Sequence, residues 1–448
     1  MAEIAPLTPL RYDLAHLEQS RGGLASVIAP PYDVISPEDR AALATRDPHN
    51  VVRLILPEGE GDAKYARAAD LLSAWRREGV LTRDPEPGFY RYDQTFLSPA
   101  PDPVSGEAIS LRRRGFLGLV KLVPFAQRTV LPHERTLSGP KEDRLKLFRA
   151  TGANLSPGFM LYRDPRGELD APLDTAEPLA EFSTPDGIHH VLAKVRGRDA
   201  IHAIAAGVAR STLLIADGHH RYETALRYCE EVTAAHPEAS PRGEHRFFMT
   251  FLVNGDDRNL VVFPTHRHVH SLSSFSFDDL LSRAQDDFRV SLLQTGVEAD
   301  AIVAALAAAG QSGPSVAAAA TDGRVALLTL RGDRDLEAHP TLRRQTAVLR
   351  KTDVAVLHAG VLENLLGITP AAQAAKTNLA YPQDAQTALA ELRGGKGNVL
   401  FLMNATPVHQ VREVAEAGEV MPQKSTFFYP KVPTGLAVHT LDWTRAVF

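Results

Sequence analysis

Asp217, His219, His220 and Arg221 crowd into five consecutive positions of the stretch LLIADGHHRYETALRY, residues 213–228. An imidazole can donate to an anion or move a proton near neutral pH, and a guanidinium presents a fixed fork of donors to phosphate. A carboxylate beside them can cap a helix, ligate a metal or accept a proton. The chemistry these types suggest is anion binding with acid–base work next to it; the plainer alternative is a capped helix with solvated histidines. The elements that must position them follow from the flanks. LLIA is a short apolar run that reads as a buried strand, and from His220 onward Tyr222, Ala225 and Leu226 recur at helical spacing. Gly218 permits a sharp or left-handed turn between the two. The free amides and dipole of a helix start add positive charge at that turn.

A second polar concentration lies in VLPHERTLSGPKEDRLKLFRATGANLSPGFMLY, residues 130–162. His133, Glu134, Arg135 and Thr136 form a polar turn, and a helix is predicted over 140–148 with Leu145 and Phe148 inward and Lys141, Arg144 and Arg149 making it basic. Such a set suits a polyphosphate, with Lys and Arg neutralising charge and Glu handling a proton or a metal; a salt-bridged amphipathic helix explains Lys141 and Arg144 equally well. The loop 422–431 is too polar for core and too rigid for a tail, and is expected to lie over the pocket with Lys424 toward an anion. Packing of Phe427, Phe428 and Tyr429 is its plainer explanation. Tyr32, Asp33, Asn50 and Arg53 sit where strands and turns meet, either as substrate groups or as ordinary polar groups. Thr265 and His266 follow Pro264 and could reach the site. His266, His268 and His270 share one side of a strand, a spacing open to zinc, although exposed edge histidines are commoner.

Elsewhere the pattern predicts a helix start at Ser36-Pro37-Glu38, a strand over VVRLIL (51–56), a helix over 62–80, and strands over 85–96 and 111–125 separated by a turn rich in Pro, Asp, Ser and Gly. The triplet Arg112, Arg113, Arg114 reads as a solvated face. NGDDRN (254–259) reads as a hairpin turn. Helices are expected over 275–293, 301–309, 346–366 and 385–393, and strands over 324–332 and up to Asn404.

With 448 residues, the chain has room for about three domains or two larger ones. A hydrophobic content of 44% and a charged content of 23% describe a globular chain with a large core. The net charge of -5 argues against general nucleic-acid affinity. One cysteine, Cys229, excludes a disulfide framework or thiolate zinc cluster within the chain. The N-terminal stretch has no signal-like pattern, and no window of about 18 apolar residues occurs, so a cytoplasmic, membrane-free protein is expected. The division expected is 1–270, 271–420 and 421–448, the last returning to the core.

Taken together, APPYDVIS, PHERT with KEDR, IADGHHRYETAL and MPQKSTFFYPK resemble the bacterial family catalogued as domain of unknown function 1015. IADGHHRY is also similar to the DGHHR motif of the ParB-like free serine kinases, which phosphorylate free L-serine and share the ParB/sulfiredoxin fold. That resemblance implies an α/β (α+β) chain with a ParB/sulfiredoxin-like core and an added αβ unit, and nucleotide and catalytic roles for residues 217–221. In those kinases a catalytic Glu precedes the motif; here the helix 198–210 has Asp199 and no Glu, so the base falls to Asp217, Glu134 or Asp33.

The expected function is a small-molecule kinase using Mg²⁺ and ATP, ADP or pyrophosphate on a hydroxyl of a small metabolite, with free L-serine one candidate. Asp217, Glu134 and His220 would be catalytic. Gly218, His219, Arg221, His133, Arg135, Thr136, Lys141, Arg144 and Lys424 would hold phosphates, and Tyr32, Asp33, Asn50, Arg53 and Thr265 the acceptor. Its partners would be the nucleotide and the metabolite, with a homodimer an allowed assembly. A ParB-like nucleotide-binding regulator and a histidine-based metal hydrolase are the rival readings.

Overall fold

The computed structural model describes residues 1–17, 22–98, 107–136 and 138–448. The turn expected between the strands at 96 and 111 falls largely outside these residues. The chain divides into two units: residues 1–131, 137–260 and 430–448 form unit 1, and residues 132–136 and 261–429 form unit 2.

Unit 1 is built on a mixed nine-stranded sheet. Its strands are β1 (Ile4–Ala5), β2 (Phe89–Leu97), β3 (Ser110–Lys121), β4 (Val130–Leu131), β5 (Gly158–Tyr162), β6 (Glu177–Ser183), β7 (His189–Val195), β8 (Leu213–Asp217) and β9 (Phe247–Asn254). They lie in the order β4-β8-β5-β9-β3-β2-β7-β6, with β1 added beside β3. Parallel β4–β8 and β5–β9 pairs are mixed with antiparallel ones. Its helices include α1 (Pro37–Arg46), α2 (Val52–Ile55), α3 (Ala63–Arg77), α4 (Ser138–Thr151), α5 (Arg198–Ala209) and α6 (His219–Ala235). The start of α1 is fixed as the sequence suggests, by a Ser36–Asp39 capping box with Pro37 in the first turn.

Strands with long apolar runs are buried on both faces, as mixed sheets covered by helices require. Ile204 and Val208 of α5 and Tyr222, Ala225 and Cys229 of α6 pack with Leu213, Ile215, Phe248 and Leu252 in one core. The Tyr222 hydroxyl donates to Val123 O (2.8 Å) and accepts from Val123 N (3.0 Å), which fixes the second turn of α6 on the sheet.

Unit 2 holds a six-stranded sheet and a two-stranded one. Its strands are β10 (Val261–Phe263), β11 (Arg267–Val269), β12 (Phe288–Leu292), β13 (Ser315–Ala320), β14 (Val325–Leu330), β15 (Leu379–Ala380), β16 (Val399–Met403) and β17 (Phe427–Tyr429). The larger sheet runs β12-β14-β13-β16-β11-β15, and β10 pairs β17. Helices α7 (Ala299–Gly310) and α8 (Ala385–Arg393) cover one face through Ile302, Leu306, Leu389 and Leu392.

Four expectations fail for identifiable reasons. VVRLIL is not a strand: the Asn50 side chain accepts from Val52 N (2.9 Å), and this cap-like contact opens α2 in a buried apolar run that periodicity alone cannot assign. NGDDRN closes no hairpin, because β9 lies between β3 and β5 while β10 pairs β17. The 275–293 segment splits into a helix at Phe277–Ala284 and β12. The 346–366 segment breaks into a short α-helix at Asp353–Val356 and a π-helical turn at Leu357–Glu363. Among the described residues, no helix is long and apolar enough to cross a membrane.

Candidate functional site

The turn after β8 begins with a bulge. Ile215 pairs with Met160 and Asp217 with Phe159, so Ala216 is an extra residue in the ladder, and the added twist re-aims the strand end. Gly218 follows at φ +93°, a conformation side-chain-bearing residues rarely adopt, and a Cβ there would also crowd the Arg221 guanidinium at 3.0 Å from Nε. His219 and His220 then open α6, His219 buried and His220 half-buried.

Asp217 is gripped by two cations. Arg221, one helical turn on, donates to Oδ2, and Lys431 Nζ donates to Oδ1 at 2.9 Å. The Arg221 side chain is only 5% exposed, and its other terminal nitrogen donates to Pro157 O. Burial by itself would raise the Asp217 carboxyl, but Lys431 and then Arg221 outweigh it and hold it well below the usual carboxylate range. A carboxylate held that low is a feeble base. The expectation that Asp217 abstracts a proton is therefore corrected: it is an ionised anchor that fixes Arg221 and Lys431.

Lys431 closes the loop 422–431 expected over the pocket, but the sequence pointed Lys424 at the anion and left the pairing of Lys431 unassigned, since it lies 214 positions from Asp217 and no local pattern links the two. Its placement depends on a residue taken for solvent-facing. Arg113 is fully buried, not solvated, since strand alternation sends it to the face opposite Arg112 and Arg114, which pair with Asp93. Its guanidinium lies over the rings of Phe159 (4.8 Å) and Phe251 (5.5 Å), donates to Gln94 Oε1, and reaches Pro430 O at 2.6 Å. Gln94 Nε2 in turn donates to Lys431 O (3.2 Å). Arg113 and Gln94 thus clamp the backbone that carries Lys431.

Arg144 of α4 and Arg221 both line a solvent-open cleft of about 310 Å³ of atom-free space, shared with Tyr32, Phe148, Asn154 and Ser156. Arg144 is 5% exposed, donates to Ile55 O (2.6 Å) at the end of α2 and to its neighbour Asp143, and stacks over the Tyr32 ring at 4.3 Å. Asp143 is drawn down to about 2: burial opposes the shift, but Arg144 and the Tyr65 hydroxyl (2.6 Å) overcome it. Burial raises the Tyr32 phenol, as does Asp33, while Arg221 and Arg144 pull it back. Tyr32, Arg144, Lys431 and the Asp217–Arg221 pair are brought together from four separate stretches of the chain.

Other expected residues are placed differently. Lys141 pairs with Glu223 of α6 at 2.6 Å. Asp33 is exposed. Asn50 is corrected from substrate group to structural clamp: fully buried, it donates to Ser26 O (2.7 Å) and Ile28 O (3.1 Å) while its Oδ1 accepts from Val52 N. Arg53 donates to Ala44 O (2.7 Å), which ties α2 to α1. Asn50→Leu should cost about 2–3 kcal/mol, because two buried carbonyls lose their donors, with urea denaturation as the check.

His133, Glu134, Arg135, Thr136, Thr265 and Lys424 belong to unit 2. There His133 Nε2 meets the Thr426 hydroxyl (2.9 Å), Glu134 Oε1 accepts from Lys424 N (2.8 Å), Arg135 N donates to Met421 O (3.3 Å), and Thr265 O accepts from Arg267. The three-histidine zinc spacing dissolves into ordinary contacts. His266 Nδ1 accepts from Met403 N (3.1 Å), His268 Nε2 donates to Lys396 O (2.6 Å), and His270 Nδ1 meets the Ser271 hydroxyl (3.0 Å). Among the described residues no group of three His, Cys, Asp or Glu side chains could hold a metal.

Among solved structures, the chain is similar to a conserved hypothetical protein from Pyrococcus furiosus, with 15% identity over 70% of this chain and 92% of that one and a TM-score of 0.35. It is similar to a free serine kinase in complex with AMP, at 13% identity over 70% of this chain and 89% of that one with a TM-score of 0.36. It is also similar to SbnI from Staphylococcus aureus, at 10% identity over 72% and 87% with a TM-score of 0.36. Likenesses this distant carry no argument about the chemistry of this chain, which rests on the residues above. Among curated proteins none matches it. A family pattern does match, over residues 4–355, and the chain belongs to the family described as protein of unknown function (DUF1015).

Proposed function

We propose that unit 1 is the nucleotide-binding, ParB/sulfiredoxin-like core of a phosphotransferase, with residues 271–420 an αβ domain. The donor is ATP, ADP or pyrophosphate, and the acceptor is a hydroxyl of a small metabolite, free L-serine being the first to try. One observation carries the reading: two nearly buried arginines, Arg144 and Arg221, line the same cleft, and Arg221 is locked beside a left-handed glycine at the start of α6. Burying guanidinium groups at a cleft is costly unless an anion or carboxylate offsets them. Here Asp143 and Asp217 do so in part. The amides opening α6 add positive potential at the same turn.

Phosphoryl transfer asks chiefly for positioning and charge neutralisation, which this constellation supplies. Arg144, Arg221 and the backbone at 218–220 would bind the phosphates, with Lys431 and Asp217 holding the geometry. His220, half-buried in the first turn of α6, takes the acceptor's proton. Magnesium would enter on the donor's phosphate oxygens, as this ion commonly does. Both oxygens of Asp217 are already engaged by Arg221 and Lys431, so the ion would be held by the donor and would neutralise phosphate charge. The test is ³¹P NMR of the full chain with each donor, Mg²⁺ and a pool of hydroxy metabolites. A new phosphomonoester signal is expected, formed about 10²-fold to 10⁴-fold more slowly by His220→Gln with donor affinity retained. No product with any donor overturns the enzymatic reading. Tight nucleotide binding without turnover would support the ParB-like regulator instead, a reading to which an Asp217 that is ionised near neutral pH is equally suited.

A further inference from the structure

We propose that unit 2 carries an anion-binding site of its own, in which Lys376, Lys424 and the Tyr381 hydroxyl receive the phosphate group of a small phosphorylated molecule. The proposal stands independently of the function assigned to unit 1. Its starting point is backbone conformation. Lys376 and Lys424 have φ of 58° and 60°, the left-handed region that normally falls to Gly or Asn. An ordinary side chain there costs about 1–2 kcal/mol, and such strain collects where a side chain must be aimed.

The two lysines are tied together. Lys376 ends the helix Pro370–Ala375, and Gln423 Nε2 donates to Ala374 O (3.2 Å) of that helix, which brings the segment containing Lys424 beside it. Lys424 is fixed on both sides, its N–H donating to Glu134 Oε1 (2.8 Å) and its carbonyl accepting from Arg267 Nη2 (3.1 Å). Buried Arg267 spends its donors on Thr265 O, Gln423 O, Lys424 O and His358 Nε2, so it frames the site. Tyr381 lies under both cations, its ring 5.1 Å from the Arg267 guanidinium and 5.9 Å from Lys376 Nζ.

What this frame lacks is an anion. Among the described residues neither the Lys376 nor the Lys424 ammonium has a hydrogen-bond or ion-pair partner, and the Tyr381 hydroxyl is shielded from solvent with no partner. Burial and then the neighbouring Lys424 push Lys376 below its ordinary value, with Glu134 opposing. Burial lowers Arg267 to about 10 and His358 to about 3, so His358 adds no charge near neutral pH. Three cations, Arg267, Lys376 and Lys424, thus face one carboxylate, Glu134. Two flexible point charges and a hydroxyl donor suit a tetrahedral dianion better than the planar carboxylate that a guanidinium fork matches.

The experiment is calorimetric titration of the full chain with inorganic phosphate, then with acetate, for wild type, Lys376→Gln/Lys424→Gln, Tyr381→Phe and Arg144→Gln. Phosphate binding weakened about tenfold or more in the double variant, and measurably in Tyr381→Phe, is expected. Arg144→Gln should leave this binding event intact. Phosphate uptake by the double variant equal to wild type in stoichiometry and affinity overturns the site, and acetate binding as tightly as phosphate overturns the phosphate assignment. A single site lost only in the double variant supports this proposal while counting against phosphate binding in unit 1.

Discussion

Asp217→Asn is expected to destabilise the folded chain by about 3 kcal/mol at pH 7, the low end for breaking a buried pair, because the Asp217 side chain retains 18% of its surface. The amide would leave Arg221 and Lys431 facing each other with no compensating charge. The effect has a signature in pH. The folded carboxyl is held below its unfolded value near 3.9, so its contribution is fully present above that value and is lost as pH falls toward the folded pKa. The gap between wild type and Asp217→Asn, measured by urea denaturation, should be flat from about pH 8 to 5 and narrow below. Lys431→Met should remove one of the two cations and let burial raise Asp217. The double variant Asp217→Asn/Lys431→Met should therefore cost less than the sum of its parts, since the second change removes a cation that the first leaves unpaired.

The second large effect belongs to Arg113. Arg113→Met fills much of the same space between Phe159 and Phe251 but withdraws donors from Gln94 Oε1 and Pro430 O. A cost of about 2–4 kcal/mol is expected, from two buried acceptors losing a charged donor. Arg113 touches no predicted ligand, so its role is to position Lys431. Two readouts separate that role from bulk destabilisation. The narrowing of the pH gap at Asp217 should shift upward in Arg113→Met, and the Arg113→Met/Lys431→Met pair should be markedly non-additive. Additivity within about 0.5 kcal/mol would mean that Arg113 acts on packing alone.

What the sequence disclosed here follows sequence distance. The strand, left-handed turn and helix at 213–235 were legible because an apolar run, a glycine and helical spacing are local signals. The α1 cap and the span of α8 were legible for the same reason. Lys431 and Arg113 were not, because their meaning lies in which distant strands come to lie side by side: β3 and β2 place Arg113 and Gln94 against a segment more than 300 positions away. Asn50 misled in the opposite direction. A polar residue at an element boundary resembles a site group until its three hydrogen bonds are seen to end on backbone. The basicity of Asp217 was also beyond the sequence, since the residue type is silent on whether one cation or two will face it.

The most direct test of the account is equilibrium binding of ADP to the full chain, compared with Arg144→Gln checked to be folded. The account predicts saturable binding to wild type that weakens about tenfold or more in the variant, the loss of one charge-assisted contact to phosphate. Binding of equal strength in both, or none in wild type, would contradict it.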